Sequence, residues 1–528
     1  MVITTEGHTA SLDLTTDGIE LLPGELAYTT KAVSGWTALE PELSVTWETN
    51  PTFEPVEITN DMKGKCNIVI NAPAGIKAFT VSMLSDYLNN DIGLTELDLL
   101  NPQGLETIFD MLNFPYGEKI LNQKTVPFDL TNAVALLEGK SGQHIFTMNV
   151  TDNNNKTINQ DITFFVPEAI SATVSDIDLW KNTATITLNN APEGATVQYK
   201  RSTESEWKNT TKNPNGTFSI TPSWITEEND AGKTVYSLDN NCGVFAGATY
   251  DWQILNGEAV VASGTFETSA GDPIENGDMS QWCETKEMLP LFGSKKITVW
   301  YPGSSWSDST PGFWDSSNNA GNKTACTQDK TKNASCAWLQ ASGVSLVGAL
   351  ASGSLFTGTF TYANMNGTAS FGQKYKYTAR PTALRLKYHA TLGTVNYNKH
   401  NGPLEKDKDI MDQCSFTVCI VDWDTRHDVQ SGTSAPKGIW DPITMGELPV
   451  DKQNGIIGYG VKYSSENTPG TDLIPLEIPI KYYQQTNAAP DGENKFTIII
   501  SVSTSRYGDY LNGCDKNKIY VDDFEWVY

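Results

Sequence analysis

Short strands at a regular spacing constrain the fold of this chain more than any other feature. Between about residues 169 and 268, segments such as TATITLNN, ATVQYKRS and VVASGTFET alternate apolar and polar residues, and turn residues bound each of them. Alternation with a period of two is the pattern of a half-buried β-strand. Short strands that follow one another at this spacing are typical of a sandwich. We therefore expect a β-sandwich over residues 169–270.

This segment resembles a fibronectin type III domain. Trp207 follows the VQYKRS strand, and Tyr250 and Trp252 lie in a late strand before SGTFET. Small sandwiches of this kind are built around buried aromatic side chains, so we expect these three rings to pack in the core.

Residues 61–168 combine strand patterns with two short helical patterns. Asn101 is a suitable N-cap for a helix that begins at Pro102, and Leu105, Ile108 and Leu112 share one face of it. LTNAVALLEG predicts a second helix that ends at a glycine, and a hairpin turned by DNNN follows. We expect an immunoglobulin-like domain with short helices here, preceded over residues 1–60 by an extended or β segment.

The last part of the chain, residues 275–528, is richer in Trp, Tyr, Gly and Ser. Clear strands such as CSFTVCIVDW, IPLEIPIKYY and KFTIIISVSTS are separated by long loops, and no convincing long helix occurs. This pattern fits one large jelly roll. The sequence as a whole therefore predicts an all-β chain, with N-terminal sandwiches followed by a large jelly roll.

Charge excludes two classes of partner. Lys and Arg total 37 and Asp and Glu total 63, which gives a net charge of −26. A chain this acidic repels phosphate backbones and anionic lipid, so we expect no nucleic acid partner. No apolar run approaches the ~20 residues that a membrane-spanning helix needs, so we expect no transmembrane segment.

The eight cysteines leave two interpretations open. Cys326 and Cys336 are placed to bridge a loop, and Cys283 and Cys514 to join the first and last strands of one domain; alternatively, most are buried free thiols. Cys414 and Cys419 are five residues apart in one strand, an odd offset that predicts opposite faces. None of this spacing fits a zinc site.

No basic and apolar leader pattern occurs at Met1. Either the protein is cytosolic or the numbering begins after a removed leader. The acidic, β-rich and Asn/Thr/Ser/Gly-rich composition favours the second interpretation, and hence a protein at the cell surface or outside the cell.

An ordered set of segments then resembles a known family. ENGDMSQWC, ASGSLFTGTF, YTARPTALRLKYHA, IPLEIPIKYY, SVSTSRYGDYLNGC and IYVDDFEWVY resemble the family named putative carbohydrate metabolism domain, over roughly residues 275–528. The resemblance implies a galactose-binding-like jelly roll preceded by immunoglobulin-like domains. It also implies a glycan-handling role in a secreted or lipid-anchored protein, with carbohydrate as the partner.

Sugar recognition needs flat apolar rings for the C–H faces of pyranosides and planar polar groups for the hydroxyls. The segment VWYPGSSWSDSTPGFWDSSNNAGN interleaves aromatic and carboxylate or amide side chains in a loop, where binding residues collect. It supplies the ligand-binding candidates Trp300, Tyr301, Trp306, Trp314 and Asp315. Packing of the loop over the sheet is the alternative.

A second cluster follows the strand SFTVCIV. Trp423 and Arg426 are ligand-binding candidates there, and Trp440 in the next loop is a third. A solvated turn with internal Asp–Arg pairs is the alternative.

Glycoside hydrolysis needs two facing carboxyl groups. Candidates for this catalytic role are Glu477, Asp422, Asp424 and Asp509, and no spacing forces a pair among them. The alternative for Glu477 is an exposed strand residue.

No cofactor is expected, although a structural calcium ion is possible in a jelly roll of this kind. Asp278 near the first strand and Asp523 in the last strand are the candidate ligands, because calcium prefers oxygen donors. The alternative for each is a capping or salt-bridged carboxylate.

Three hypotheses remain open: a surface carbohydrate-binding protein, a glycoside hydrolase or lyase, and an adhesin or structural protein that binds other surface proteins. Exposed aromatic side chains serve both sugar and protein interfaces, so the sequence does not separate the first from the third.

Overall fold

The computed structural model describes residues 2–5, 8–11, 25–28, 43–46, 50–57, 66–288, 297–307, 310–320, 325–344, 348–406 and 408–528. In these residues the chain is built mainly from antiparallel strands, which confirms the all-β prediction. The chain divides into two compact units, Met1–Ala169 and Ile170–Tyr528. Most of the predicted N-terminal segment, residues 1–60, lies outside the described residues.

The strands of the first unit are β1 (Val2–Thr5), β2 (His8–Ser11), β3 (Glu25–Tyr28), β4 (Leu43–Thr46), β5 (Thr52–Glu57), β6 (Asn67–Asn71), β7 (Ile76–Leu84), β8 (Glu96–Asp98), β9 (Thr125–Asp129), β10 (Gly142–Asp152) and β11 (Thr157–Val166). Its helical segments are a π-helix (Tyr87–Ile92), α1 (Glu106–Leu112), a 3₁₀-helix (Gly117–Lys119) and α2 (Thr131–Ala135). A sheet in the order β11-β10-β7-β8 and a sheet in the order β5-β6-β9 share one apolar core. The predicted hairpin is confirmed as β10–β11.

The first helix differs from its prediction. It begins at Glu106 rather than Pro102, and the residue before it is Leu105. Phe109 and Leu112 are buried, whereas Ile108 is 40% exposed. The carboxylate of Asp98 accepts hydrogen bonds from the backbone amides of residues 100 and 101, which holds that segment in a turn ahead of the helix.

The second unit begins with a small two-sheet sandwich. Its strands are β12 (Ser171–Asp178), β13 (Thr183–Asn189), β14 (Thr196–Arg201), β15 (Lys208–Asn209), β16 (Thr211–Lys212), β17 (Phe218–Ile220), β18 (Ser223–Glu228), β19 (Thr234–Asp239), β20 (Thr249–Asn256) and β21 (Ala259–Glu267). The two four-stranded sheets have the orders β12-β13-β17-β16 and β15-β14-β20-β21. Tyr250 and Trp252 are buried as predicted. The prediction for Trp207 is wrong, because its side chain is 37% exposed under the ammonium of Lys200.

The remaining strands are β22 (Trp282–Met288), β23 (Ile297–Pro302), β24 (Trp314–Ser316), β25 (Cys326–Asp329), β26 (Cys336–Gln340), β27 (Ser342–Val344), β28 (Ala349–Ala351), β29 (Ser354–Ala363), β30 (Asn366–Phe371), β31 (Ala383–Thr391), β32 (Tyr397–Asn398), β33 (Cys414–Trp423), β34 (His427–Gly432), β35 (Ile456–Ser464), β36 (Ile474–Pro479), β37 (Lys481–Tyr482), β38 (Phe496–Ser503), β39 (Asn512–Gly513) and β40 (Lys518–Val527). Helix α3 (Val450–Asn454) and 3₁₀ turns at Ser317–Ala320 and Gly508–Tyr510 complete the elements of this part.

Two sheets face each other across the largest core of the chain. The ten-stranded sheet follows the order β18-β19-β37-β35-β33-β38-β29-β30-β34, with β24 paired to β29. The five-stranded sheet follows the order β25-β26-β40-β31-β36. Apolar side chains from both sheets meet in this core, among them Phe416 and Ile500 from one and Leu386 and Val521 from the other. The result is a large β-sandwich.

The hairpin β18–β19 lies in the sequence of the small sandwich but extends the large sheet. Tyr236 of β19 pairs with Tyr482 of β37, and Trp224 of β18 contacts the Tyr482 ring edge-on at 5.9 Å between centroids. The guanidinium of Arg380 is fully buried beside these rings and that of Trp180. The small sandwich and the large sheet are therefore joined by shared structure.

All eight cysteines lie in described segments and are free thiols, so the proposed Cys326–Cys336 and Cys283–Cys514 bridges are not formed in this structure. Cys414 faces the large core and Cys419 faces a smaller core on the other side of the sheet, which confirms their predicted separation. Among the described residues, no helix combines the length and the apolar character that a membrane crossing requires.

Candidate ligand-binding site

A cavity of about 730 Å³ lies on the face of the ten-stranded sheet that points away from the large core. Its floor is formed by β29, β30, β33, β35 and β38. Its walls are formed by Ser342, Val344 and the segments 349–352, 399–403, 439–447 and 505–511. Its volume is within the ~300–1,000 Å³ that small-molecule sites usually occupy.

Small hydroxyl side chains create the space. Along β33, Phe416 and Val418 point into the large core, whereas Ser415 and Thr417 point into the cavity. Ser415 pairs with Ser503 and Thr417 with Ser501 across the neighbouring strand β38. Because these hydroxyls replace the large apolar groups that a second core would need, the floor stays open and polar.

The same face of the sheet is closed further along. Beyond Thr417 the outward side chains of β33 become Cys419, Val421 and Trp423, and the segment that includes helix α3 covers them. The cavity therefore ends where the strand changes from hydroxyl to apolar side chains.

Half-buried aromatic side chains surround the hydroxyl floor. Trp440 lies between several rings, with centroids 5.6 Å from Trp423, 5.9 Å from His427 and 6.4 Å from Phe371. The other aromatic side chains that line the cavity and keep part of their surface exposed are Phe360, Tyr362, Phe371, Tyr463, Tyr507 and Tyr510. Rings held in this way offer flat apolar surface with a phenol or indole group at the edge.

The wall at 505–511 is held by a fully buried carboxylate. Asp412 accepts hydrogen bonds from the Ser505 hydroxyl at 2.6 Å, the Cys514 amide at 2.8 Å and the Asn517 amide group at 2.6 Å. Burial raises the pKa of Asp412 and these donors lower it, burial being the larger effect. The loop that carries the cavity residues is therefore attached to the sandwich at both of its ends.

The carboxyl groups on the cavity wall differ in their hydrogen-bond partners. Asp441 accepts hydrogen bonds from the amides of Ile443 and Thr444, both at 2.9 Å. Glu447 accepts one from the amide of Gly438 at 2.5 Å. Both carboxylates are therefore engaged in shaping their own loop.

Asp509 is different. In the part of the chain that the structure describes, its carboxyl group has no hydrogen-bond or ion-pair partner. Burial in the cavity wall raises its pKa to about 6, because the charged form loses hydration without gaining a counter-charge. A carboxyl group of this kind can exchange a proton near neutral pH.

The aromatic loop predicted from the sequence lies elsewhere. Tyr301 and Trp306 stack on each other with centroids 4.0 Å apart, and both are at most 9% exposed. Trp314 is fully buried and donates its indole hydrogen to the carbonyl of Glu275 at 2.7 Å. Trp300 is 40% exposed but does not line the cavity. Packing rather than exposure to a ligand, the alternative interpretation, is the arrangement seen for Tyr301, Trp306 and Trp314. The prediction that the segment is a loop is wrong in part, because Tyr301 lies in β23 and Trp314 in β24.

Asp315 is also buried rather than exposed to a ligand. Its carboxylate accepts hydrogen bonds from the amides of Ser316 and Phe360, both at 2.7 Å, and burial raises its pKa to about 7. The bond to Phe360 fixes the backbone of a residue that lines the cavity. Asp315 therefore supports the cavity from behind.

The cluster at 422–428 lies beyond the closed end of the cavity. Asp422 is 3.0 Å from the ammonium of Lys495, and Asp424 is 3.9 Å from it and 88% exposed. Trp423 is 2% exposed. Arg426 donates to the Gly372 carbonyl at 2.9 Å. None of these four residues lines the cavity.

The remaining predicted residues lie away from the cavity as well. Glu477 pairs with Arg385 at 3.0 Å on the exposed face of the five-stranded sheet. Asp523 pairs with Lys387 at 2.8 Å, and Asp278 accepts a hydrogen bond from the Ser280 hydroxyl at 2.9 Å. Among the described residues no group of three or more His, Cys, Asp and Glu side chains is placed to hold a metal ion, so the calcium site stays a prediction.

Of the predicted residues, the cavity therefore brings together Trp440 and Asp509. Sequence reasoning missed Tyr463, Tyr362 and the hydroxyl floor. The sequence did contain a signal for the floor. At alternate positions, KFTIIISVSTS changes from isoleucine to serine, and CSFTV carries a serine and a threonine.

The floor and the walls of the cavity come from one continuous stretch of the chain. Residues 266–527 match the family model of the putative carbohydrate metabolism domain. The match confirms the predicted family resemblance over this part of the chain. The cavity and all the predicted site residues lie inside the matched region.

Three solved structures are distantly similar to the chain. A putative glycoside hydrolase from Bacteroides thetaiotaomicron is 15% identical, with 64% of this chain and 98% of that chain covered and a TM-score of 0.31. Another from Bacteroides vulgatus is 15% identical, with 47% and 96% covered and a TM-score of 0.33. A Bacteroides ovatus protein, SGBP-B, solved with a mixed-linkage heptasaccharide, is 8% identical, with 86% and 100% covered and a TM-score of 0.13. At these scores the likenesses carry no argument about the chemistry of this chain. No curated protein matches the chain.

Proposed function

We propose that the chain is a cell-surface or secreted protein that binds a glycan in the cavity of its large sandwich. The supporting observation is that half-buried aromatic rings and hydroxyl side chains line one cavity inside the region that matches a carbohydrate metabolism family. The rings suit the C–H faces of pyranosides, and the hydroxyl and amide groups of the floor and walls suit their hydroxyls. The surface location rests on the acidic composition.

A glycan array with the full chain tests this proposal. We expect binding to a defined set of glycans, and we expect Trp440→Ala to weaken it by roughly 30-fold, the effect of losing an aromatic contact worth about 2 kcal/mol. The matched control is Trp207→Ala, which removes an exposed tryptophan of the small sandwich outside the cavity. Equal binding by the two variants, with both folded by thermal melting, would move the glycan site away from the cavity. No glycan binding by the folded chain would favour the protein-binding alternative.

One observation favours hydrolysis as a second candidate function. Asp509 has the raised pKa that a general acid needs, and Asp441 and Glu447 line the same cavity as further carboxylates. Incubation of the bound glycan with the protein, followed by chromatography of the products, tests for cleavage. Cleavage that Asp509→Asn abolishes would make the protein a glycosidase, whereas an intact glycan after long incubation would leave it a binding protein.

A further inference from the structure

One cation in the cavity wall, Arg506, forms no ion pair within the part of the chain that the structure describes. The guanidinium of Arg506 lies over the ring of Tyr463 at 3.6 Å from the centroid and near that of Tyr507 at 5.0 Å. Its side chain donates one hydrogen bond, from Nη1 to Gln413 at 3.2 Å. Within the described chain this is the whole of its side-chain hydrogen bonding, and no ion pair involves it.

This arrangement leaves most of the donor capacity of Arg506 unused. A guanidinium carries five N–H donors in a planar fork that matches carboxylate and sulfate oxygens. Half-buried in a chain with 63 acidic and 37 basic residues, an arginine would ordinarily be paired with a carboxylate. The stacking on Tyr463 instead fixes its plane at the edge of the cavity, which lowers the cost of ordering it on binding.

Among the described residues, the acidic side chains of the cavity do not form an ion pair with Arg506. Asp441 and Glu447 are bound by amides of their own loops. Burial alone accounts for the raised pKa of Asp509, so the charge of Arg506 has no resolved effect on that carboxyl group. The cavity lining thus contains a cation that forms no ion pair among the described residues, and a carboxyl group whose pKa burial raises to about 6.

We propose that the glycan bound in this cavity is acidic, and that Arg506 binds its carboxylate or sulfate group. This inference rests on the proposed function. The hydroxyl row that begins beside Tyr463, with Ser415 and Ser503 on adjacent strands, then faces the neutral hydroxyls of the same sugar chain.

The first experiment needs no variant. The full chain is tested on an array of neutral, uronic-acid-containing and sulfated oligosaccharides, and the best acidic ligand is compared by calorimetry with the same oligosaccharide after reduction of its carboxyls or removal of its sulfates. We expect the uncharged form to bind about 10-fold to 100-fold more weakly, as expected for loss of a charge-assisted contact. The carboxylated and sulfated arms of the array separate the two possible anions.

Variants then assign the effect to one residue. Arg506→Gln should bring the affinity for the acidic ligand down to that for its uncharged form, and Arg506→Lys should keep the charge but recover only part of the affinity, because an ammonium lacks the planar fork. Arg385→Gln removes the same charge from the exposed face of the other sheet and should leave binding unchanged.

The outcomes are distinguishable. Binding of neutral glycans alone would leave the proposed function standing and overturn this inference. Equal affinity of wild type and Arg506→Gln for an acidic glycan would also overturn it. No binding of any glycan by the folded chain would remove the proposed function and this inference together.

Discussion

At the scale of single residues, two carboxyl groups near the cavity differ in what compensates their burial. The buried carboxylate of Asp412 is surrounded by donors, whereas the carboxyl group of Asp509 has none among the described residues. A group that loses its hydration on folding without gaining a partner destabilises the folded state. Such groups are concentrated at functional sites, where function rather than stability retains them.

Replacing Asp509 by Asn should therefore stabilise the protein in a pH-dependent way. The pKa of Asp509 is raised from an ordinary 3.8 to about 6 in the folded chain. The folded state thus holds the proton more tightly, so the contribution of this group is fully favourable below pH 3.8 and is lost as the pH rises through 6. We expect Asp509→Asn to melt roughly 1–2 °C above wild type at pH 8, the shift for about 1 kcal/mol in a unit as long as Ile170–Tyr528, after allowance for solvent screening.

The two proteins should melt together at pH 4, where Asp509 is largely protonated in the folded state. Asp424→Asn, which removes an 88% exposed carboxylate, is the control and should show no such pH dependence. A lower melting temperature for Asp509→Asn at pH 8 would show that Asp509 stabilises the fold.

At the scale of elements, the two strands β33 and β38 decide where the cavity lies. Both strands present apolar side chains to the large core, such as Phe416 of β33 and Ile500 of β38. On the other face, Cys419 of β33 gives way to Thr417, and Ile499 of β38 gives way to Ser501. The paired positions Thr417 and Ser501 mark that change. The site is therefore defined by the composition of one sheet face as much as by the loops around it.

Filling this floor should abolish binding without unfolding the protein. Ser501→Leu places a large apolar side chain in the cavity, where space exists for it, so we expect loss of glycan binding with a melting temperature within a few degrees of wild type. Thr391→Leu, a similar change on the exposed face of β31, is the control and should bind normally. Full binding by a folded Ser501→Leu protein would place the glycan outside the cavity.

The sequence predicted strands and their faces well, and burial in loops poorly. The opposite faces of Cys414 and Cys419 followed from a two-residue period that the backbone imposes. The segment from Ser505 to Tyr510, the most specific part of the family resemblance, lies in the cavity wall. By contrast, Trp306 and Trp314 come from a segment without any period, and their burial depends on elements far away in the chain, such as Glu275. Tyr463 was missed because, along its own strand, it is an ordinary aromatic residue.

At the scale of the whole molecule, the second unit is more continuous than the predicted boundary near residue 270 suggests. Hairpin β18–β19 completes one edge of the ten-stranded sheet. Asn229, at its turn, donates hydrogen bonds to the hydroxyls of Tyr459 and Tyr483 at 3.1 and 3.0 Å. The small sandwich and the large sandwich are thus expected to unfold together.

Truncation tests that expectation. A fragment of residues 170–528 should show one cooperative urea transition, whereas a fragment of residues 270–528 should be much less stable or aggregate, because it loses the rings and polar groups that cover Arg380 and Tyr482. Fluorescence and circular dichroism, followed together, provide the measurement. Equal stability of the two fragments would show that the hairpin contributes little.

The same hairpin imposes a delay during synthesis. Glu227 in the hairpin binds Lys481, which is 254 residues later in the chain. At about 5–20 residues per second, a ribosome needs roughly 13 to 50 seconds to make that interval. Throughout this time β19 lacks its partner strand β37, and Trp224 lacks the Tyr482 ring that it packs against. The large sandwich can therefore form only when nearly all of the chain has left the ribosome. Until then, the unpaired strands of the nascent chain must be kept from associating with other strands.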